Sequence, residues 1–479
     1  MAGKLLFLLL VSVAGCADAP RPIDDNHVLR DVAGRFHAFF PSDGATDPDP
    51  TRDLGLVRPR LGLPELAQAG APIEIQLLEH GGESPIRAAL VARGLDSGGV
   101  AHCLAGGPAA AGIAGCYPLA LSPPERTAID GETTLARWQG RTDGTPPGSF
   151  DLAIASPIDP PVRMERAVWL SAGDPAAPRP LRVALLADIH VGKGNPAVIE
   201  EHLRGVIADL NAARPDLVLV AGDVVNLGDR PELARRAREL LLTVDAPLVM
   251  VMGNHDHGFG AWMLGEPWGA GWETFGRAFH PLPFFQLTVG GWDFVGFDSG
   301  PSTVSPRVLV RGLSPAGVAE LDDAIAASGR AGHRGVVLLS HAPTRALLGD
   351  HADPASRGVA GRMRDGGAAL EASMLAAAAR GQRVLHVAGH THWSDVFEAR
   401  ARPGGLRFER WPTAKMGPCY TPLHGPALVT VQSCTHSGIP GKESARGWGF
   451  AWLRLGDGDP AVAFQRYGLA PTDRFALGR

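Results

Sequence analysis

Five short apolar runs in this chain each stop abruptly in side chains that hold protons or metals. LRVALLAD ends at Asp188 with His190 two residues on, and DLVLVAGD ends at Asp223. LVMVMGNH ends at Asn254 and His255, VVLLSH at His341, and VLHVAGH at His390 with His392 two further. Runs of this length, apolar at almost every position, read as strands buried on both faces. Helical text separates several of them. PAVIEEHLRGVIADLNAAR carries Val198, Leu203, Val206, Ile207 and Leu210 at helical spacing, Pro231 opens PELARRARELLLTV, and Ser314 caps SPAGVAELDDAIAAS. GGAALEASMLAAAARG reads as a further helix, and FFQLTV with WDFVGFD as a hairpin around Gly290-Gly291. Strands alternating with helices predict an α/β domain with a largely parallel sheet, whose strands present their carboxyl ends along one edge, where such folds bind ligands.

Convergence there would bring together carboxylate, amide and imidazole, with no thiolate. That donor set suits zinc, manganese or iron. Gly222, Gly253 and Gly389 flank the stops and allow sharp turns with close backbone approach.

The ordered set Asp188-Ile-His190, Gly222-Asp223, Gly253-Asn254-His255-Asp256, His341 and Gly389-His390-Thr-His392 resembles the calcineurin-like metallophosphoesterases across roughly residues 181–400. The resemblance implies a β-sandwich flanked by helices on a βαβαβ core. It also implies two divalent metal ions, Zn, Mn or Fe. Asp188, His190, Asp223 and His392 would hold one ion, and Asp223, Asn254, His341 and His390 the other, with Asp223 bridging. Metal-activated water would attack phosphorus in line. His255 would protonate the departing alkoxide, a task suited to imidazole. The implied activity is hydrolysis of a small phosphate monoester or diester. A catalytically silent metal-containing binding or assembly lipoprotein, and a protein phosphatase, are the competing readings.

Two positions depart from relatives within that superfamily. Purple acid phosphatases have Tyr where this chain has Asn226 and Gly where it has His190, so no tyrosinate-coloured iron site is expected. Phosphoprotein phosphatases place an Asp at the Asn226 position to orient the catalytic His, which leaves open what orients His255 here.

Other chemistry-bearing residues read more plainly. His386, inside VLHVA, is expected to be a hydrogen-bonded strand residue, and Asp293 and Asp298 turn carboxylates. His257 is either an exposed loop residue or a substrate contact. Trp262, Trp268, Trp272 and Trp292 either pin down a long insertion or form a lid. Lys193 and Arg345 are expected to be solvated charges with phosphate steering as the alternative, and His436 has a minor chance of reaching the site.

Ahead of this domain the text changes. Residues 61–175 consist of short apolar runs bounded by Gly and Pro, which predicts a smaller all-β, immunoglobulin-like sandwich. Residues 17–60, rich in Pro, Asp and Gly, read as a tether, and 181–470 as the phosphoesterase domain. Residues 1–16 carry one Lys and an apolar stretch shorter than the ~20 residues of a spanning helix. Their end, Val13-Ala14-Gly15-Cys16, resembles the bacterial lipoprotein signal. That implies lipidation of Cys16 and an exported, membrane-anchored protein of the bacterial cell envelope, periplasmic or surface-facing. Cys103, Cys116, Cys419 and Cys434 remain as disulfide candidates. Local pairing is the simplest of three connectivities, and buried free thiols are the alternative. With 45 Lys+Arg against 50 Asp+Glu and no basic tract, no nucleic-acid partner is expected.

Overall fold

The computed structural model describes residues 55–80, 85–106, 112–128, 133–156, 161–258, 270–303, 309–345, 362–403, 405–410, 420–431, 433 and 448–467. Cys16, Trp262, Trp268, Cys419, Cys434 and His436 lie outside them. Among the described residues no helix is long and apolar enough to cross a membrane.

Two five-stranded sheets occupy residues 55–171. Strands Gly55–Arg58, Pro72–His80 and Thr133–Arg141 run antiparallel in the first. In the second, Val162–Ser171, Gly148–Ala155 and Arg87–Ala92 are antiparallel neighbours, and Glu65–Gln68 joins in parallel. Ile73, Ile75, Leu77, Leu90, Leu152 and Val168 fill the space between. The expected tether to residue 60 ends earlier than its composition suggested. Leu56 and Val57 in GLVR are buried and pair with the following module, because a short apolar run can be fixed by a partner strand that composition does not reveal. Ser97–Ala105 is a helix whose Gly99 N–H donates to Asp96 Oδ1 at 2.7 Å. Cys103 on this helix forms a disulfide with Cys116.

From residue 181 onward two larger sheets face each other. Three site-bearing strands, β1 (Leu181–Leu186), β2 (Leu217–Ala221) and β3 (Leu248–Val251), lie parallel at one side of a six-stranded sheet. The other two, β4 (Gly335–Leu339) and β5 (Arg383–Ala388), lie parallel within a seven-stranded sheet. The single parallel sheet suggested by the alternation is therefore two mixed sheets. A strand apolar on both faces reads the same whichever sheet it joins.

Side-chain alternation builds the layers. On β1, Leu181, Val183 and Leu185 pack with Val337, Leu385 and Val387 between the sheets, while Ala184 and Leu186 face the helical side. There α1 (Pro196–Ala213) and α2 (Pro231–Leu241) cover the first sheet with Leu203, Val206, Leu210, Ala237 and Leu241. The buried stripe of α1 begins at Ile199, and Val198 is only half-buried. On the far side α3 (Pro315–Ala331) and α4 (Gly367–Ala379) cover the second sheet with Leu321, Ile325, Leu370 and Met374. Ser314 caps α3, accepting from Gly317 N–H at 2.9 Å. The domain is a β-sandwich flanked by helices.

Candidate metal centre

All five polar strand ends meet. Three come from the first sheet and two from the second. Asp188, His190, Asp223 and His392 are buried, and one ligand atom from each lies within 4.8 Å of the others. His190 Nε2 sits 3.2 Å from His392 Nε2 and 3.3 Å from Asp223 Oδ2. A second group shares Asp223: His341 Nε2 is 3.2 Å from the same Oδ2 and 2.9 Å from Asn254 Oδ1. His390 Nδ1 lies 2.8 Å from Asn254 Oδ1 and 3.2 Å from His341 Nε2.

The backbone is bent to achieve this. Of the seven non-glycine residues with positive φ among the described residues, five are Asp188, His190, Asp223, His390 and His392, at 52° to 68°. Asp and His tolerate this left-handed region better than most, and such bends gather at functional sites. The glycines supply clearance. A Cβ on Gly253 would lie 2.2 Å from both the amide nitrogen and Oδ1 of Asp223, and one on Gly389 would lie 2.9 Å from Asp188 Oδ2.

Backbone groups aim the donors. His341 Nδ1 is hydrogen-bonded to Ala221 O at 2.8 Å, which turns Nε2 toward Asp223. His390 N–H donates to Asp188 Oδ1 at 3.0 Å, and His255 N–H to Asp223 Oδ1 at 2.9 Å. The open question about His255 has an answer in this geometry. Its Nδ1 is 2.7 Å from Asn226 O, so a main-chain carbonyl orients the ring. Asp256 is not that orienting group. It is fully buried and accepts from Gly253, Val224 and Val225 N–H at 2.8, 3.2 and 3.0 Å, stapling the Asn254 turn to the Asp223 loop.

Charge is distributed unevenly. Burial pushes Asp188 up to about 8 and Asp256, beside Asp223, up to about 7. Burial also acts on Asp223, but the imidazoles of His341, His255 and His190 outweigh it and hold this carboxyl well below the usual range. His341 is opposed by its own burial and raised to about 9 by Asp223 and Asp188. His190 is pulled well below the ordinary imidazole value, chiefly by burial.

The residues fit a metal centre by this observation: Asp223 Oδ2 is buried, makes no hydrogen bond, and faces imidazole nitrogens on both sides. An isolated buried carboxylate oxygen is costly, whereas cation ligation satisfies it.

The family comparison falls on this segment. Residues 181–394 match the family model described as calcineurin-like phosphoesterase. That segment belongs to the calcineurin-like phosphoesterase family. The chain is also 43% identical over 68 residues to the glycerophosphodiester phosphodiesterase GpdQ of Enterobacter lignolyticus (strain SCF1), which is 14% of this chain and 22% of that protein. Similar solved structures include the purple acid phosphatase PPD1 from yellow lupin (Lupinus luteus) seeds, at 12% identity and TM-score 0.47, covering 84% of this chain and 71% of that one. A structure of PhoD matches at 9% identity and TM-score 0.47, covering 83% and 84%. The donors here are nitrogen and oxygen atoms at strand ends, and the family match together with the buried Asp, His, Asp, His group implies divalent metal ions.

The remaining candidates fall away from the centre. His386 is buried in β5, with Nε2 2.8 Å from Ser340 Oγ. Trp272 and Trp292 are packed into the hydrophobic core. The Arg345 side chain remains 43% exposed, as expected of a surface charge, and is paired with Glu371 at 2.6 and 2.7 Å. Asp293 accepts from Thr288 Oγ1 at 2.6 Å and meets His333 Nδ1 at 2.7 Å. His257 is not the exposed loop residue expected: it is 1% exposed and bound to Asp298. Sequence reading missed that pair and the role of Asp256, because their partners are remote or are backbone amides.

Proposed function

We propose that this protein is a dinuclear-metal phosphoesterase that hydrolyses a small phosphate ester, with a diester placed ahead of a monoester. The observation that carries the reading is the placement of Asp223 Oδ2 between two donor groups, one around His190 and His392 and one around Asn254, His341 and His390. The match to a glycerophosphodiester phosphodiesterase supports the diester. The ions, when bound, supply an activated water and neutralise charge on the phosphoryl oxygens. Asp188, His190, Asp223 and His392 would hold one ion, and Asp223, Asn254, His341 and His390 the other. His255 then moves the proton. Its Nδ1 is committed to Asn226 O, so Nε2 delivers the proton to the departing alkoxide oxygen. Export and a lipid on Cys16 belong to the same proposal, supported by the residues preceding that Cys. An anchored enzyme would meet its substrate outside the cytosol.

The test is bound-metal analysis of the purified protein followed by assays on aryl monoesters, aryl diesters and cyclic nucleotides, with Asp223→Asn as the blank. The expected result is metal-dependent hydrolysis that falls at least ~100-fold in the variant. Metal-loaded protein that is silent on every ester, or a variant as active as the parent, refutes the proposal.

A further inference from the structure

One fully buried polar pair beside the centre is used by none of the chemistry above. His257 Nε2 lies 3.1 Å from Asp298 Oδ1 and 3.0 Å from Oδ2, and both residues are 1% exposed. Neither is among the donor residues of the centre. His257 stands two residues past His255, inside the tight turn of residues 253–258, whose main chain closes on itself through Asp256 N–H to Gly253 O at 3.0 Å and Gly258 N–H to His255 O at 3.0 Å.

This turn is held from two sides. Asp256 ties it to the Asp223 loop at the end of β2, in the first sheet. His257 ties it to the second sheet, just past the strand Trp292–Phe297. Asp298 is itself fixed, because its Oδ1 accepts from Gly300 N–H at 2.7 Å and its own N–H donates to Pro283 O at 2.7 Å. The next residue braces another site loop: Ser299 Oγ accepts from Ala342 N–H at 3.0 Å, directly after His341. Asp298 and Ser299 contribute nothing to the donor set, yet they grip two loops that do.

We propose that His257 and Asp298 form a positioning strut that sets the pitch of the 253–258 turn, and with it the placement of Asn254 Oδ1 and the His255 ring relative to Asp223. The consequence for turnover rests on the phosphoesterase reading; the strut itself rests on the contacts. A hydrogen bond between imidazole and carboxylate is strong when dry and satisfied. A displacement of about 1 Å in a reacting group costs on the order of 10²-fold in rate.

The experiment compares His257→Ala, Asp298→Ala, the double variant and the isosteric Asp298→Asn in the full chain. Each alanine variant is expected to lower kcat about 10- to 100-fold with KM changed less than about twofold. The double variant should be no worse than the poorer single, and Asp298→Asn, whose Oδ1 still accepts, should recover most of the loss. Amide hydrogen exchange gives a readout independent of activity. Exchange at residues 254–258 should accelerate about tenfold or more in the alanine variants, with metal present or chelated, while β1 amides keep the parental rate. Additive losses, a loss carried by KM, an Asn variant as poor as Ala, or unchanged exchange at 254–258 overturns the strut. If the parent protein hydrolyses no ester, the functional reading fails, and the exchange comparison still decides this one.

Discussion

At the scale of single residues, the centre is a place where clearance counts as much as chemistry. Gly253 has no donor, yet a methyl group there would overlap Asp223 at 2.2 Å and drive the shared carboxylate away from both donor groups. Gly253→Ala is therefore expected to lose bound metal together with at least ~100-fold in activity, while far-ultraviolet circular dichroism stays that of the parent; retained metal content would show that the loop yields instead. His255→Ala should behave oppositely. The ring is oriented by Asn226 O and touches the donor set only by packing edge-on against His190 at 4.6 Å, so the variant should keep its metals and lose about 10²- to 10⁴-fold in kcat. Normal turnover would place the acid elsewhere. The left-handed bends at Asp188, His190, Asp223, His390 and His392 each cost of order 1–3 kcal/mol in the fold. Ligation offsets that cost only in the native state, so chelation should lower the unfolding temperature and metal replacement restore it, as differential scanning calorimetry would record.

At the scale of elements, the interior of the strands and of the segment leading into them holds imidazoles that burial keeps neutral down to low pH. Burial lowers His386 in β5 to about 3, and His280, whose Nε2 is 2.8 Å from Met250 O, to about 4. In the unfolded chain both titrate near the ordinary imidazole value of 6.5. The sign follows from proton counting: above pH 6.5 neither state binds the proton, and below it only the unfolded state does, so stability falls as pH falls toward these native values. Each group contributes a slope of up to about 1.4 kcal/mol per pH unit. His386→Gln, which keeps an amide donor to Ser340 Oγ, whose own proton goes to Ala342 O, should remove about 2 kcal/mol of the stability lost between pH 7 and pH 5 in urea titrations. An unchanged difference would mean that His386 protonates in the folded state. These strands were legible in the sequence because a run buried on both faces leaves few polar positions before its end, His386 in β5 being one, and the ends were legible because Asp and His interrupt it. The hairpin was legible too: Gly290 and Gly291 adopt φ of 61° and 78°, as a tight turn requires. Sheet membership was not, since β2 (LVLVA) and β4 (GVVLL) are equally apolar and join different sheets. Nor was the helix Ser97–Ala105, whose opening Ser-Gly-Gly reads as a turn and which Asp96 and the Cys103–Cys116 disulfide hold in place.

At the scale of the whole molecule, the leading pair of sheets is docked on the domain that follows rather than strung loosely ahead of it. Gly62 bridges to Val249 alongside β3, and Met250 N–H donates to Gly62 O at 2.9 Å, so residues ahead of the domain occupy its open sheet edge. Leu63 follows and is wholly buried between the two large sheets. Arg60, also without exposure, donates to Leu56 O at 2.9 Å, Arg277 O at 2.8 Å and Phe279 O at 2.8 Å, spanning the two parts of the chain. Arg166, on the Val162–Ser171 strand, donates to Leu242 O at 2.8 Å just past α2. A fragment beginning at residue 181 would uncover an edge strand, open the slot that Leu63 fills, and leave the carbonyls of Arg277 and Phe279 without their buried donor. Such a fragment is expected to unfold at markedly lower denaturant than the full chain or to aggregate. Leu63→Ala in the full chain should cost about 2–5 kcal/mol, a range set by how far the slot collapses. Because the contacts bind both parts into one core, the full chain should unfold in a single transition by fluorescence and circular dichroism, displaced as a unit by Leu63→Ala. Two separated transitions, with only the later one moved by the substitution, would show that the sandwich folds on its own and that the shared edge is incidental.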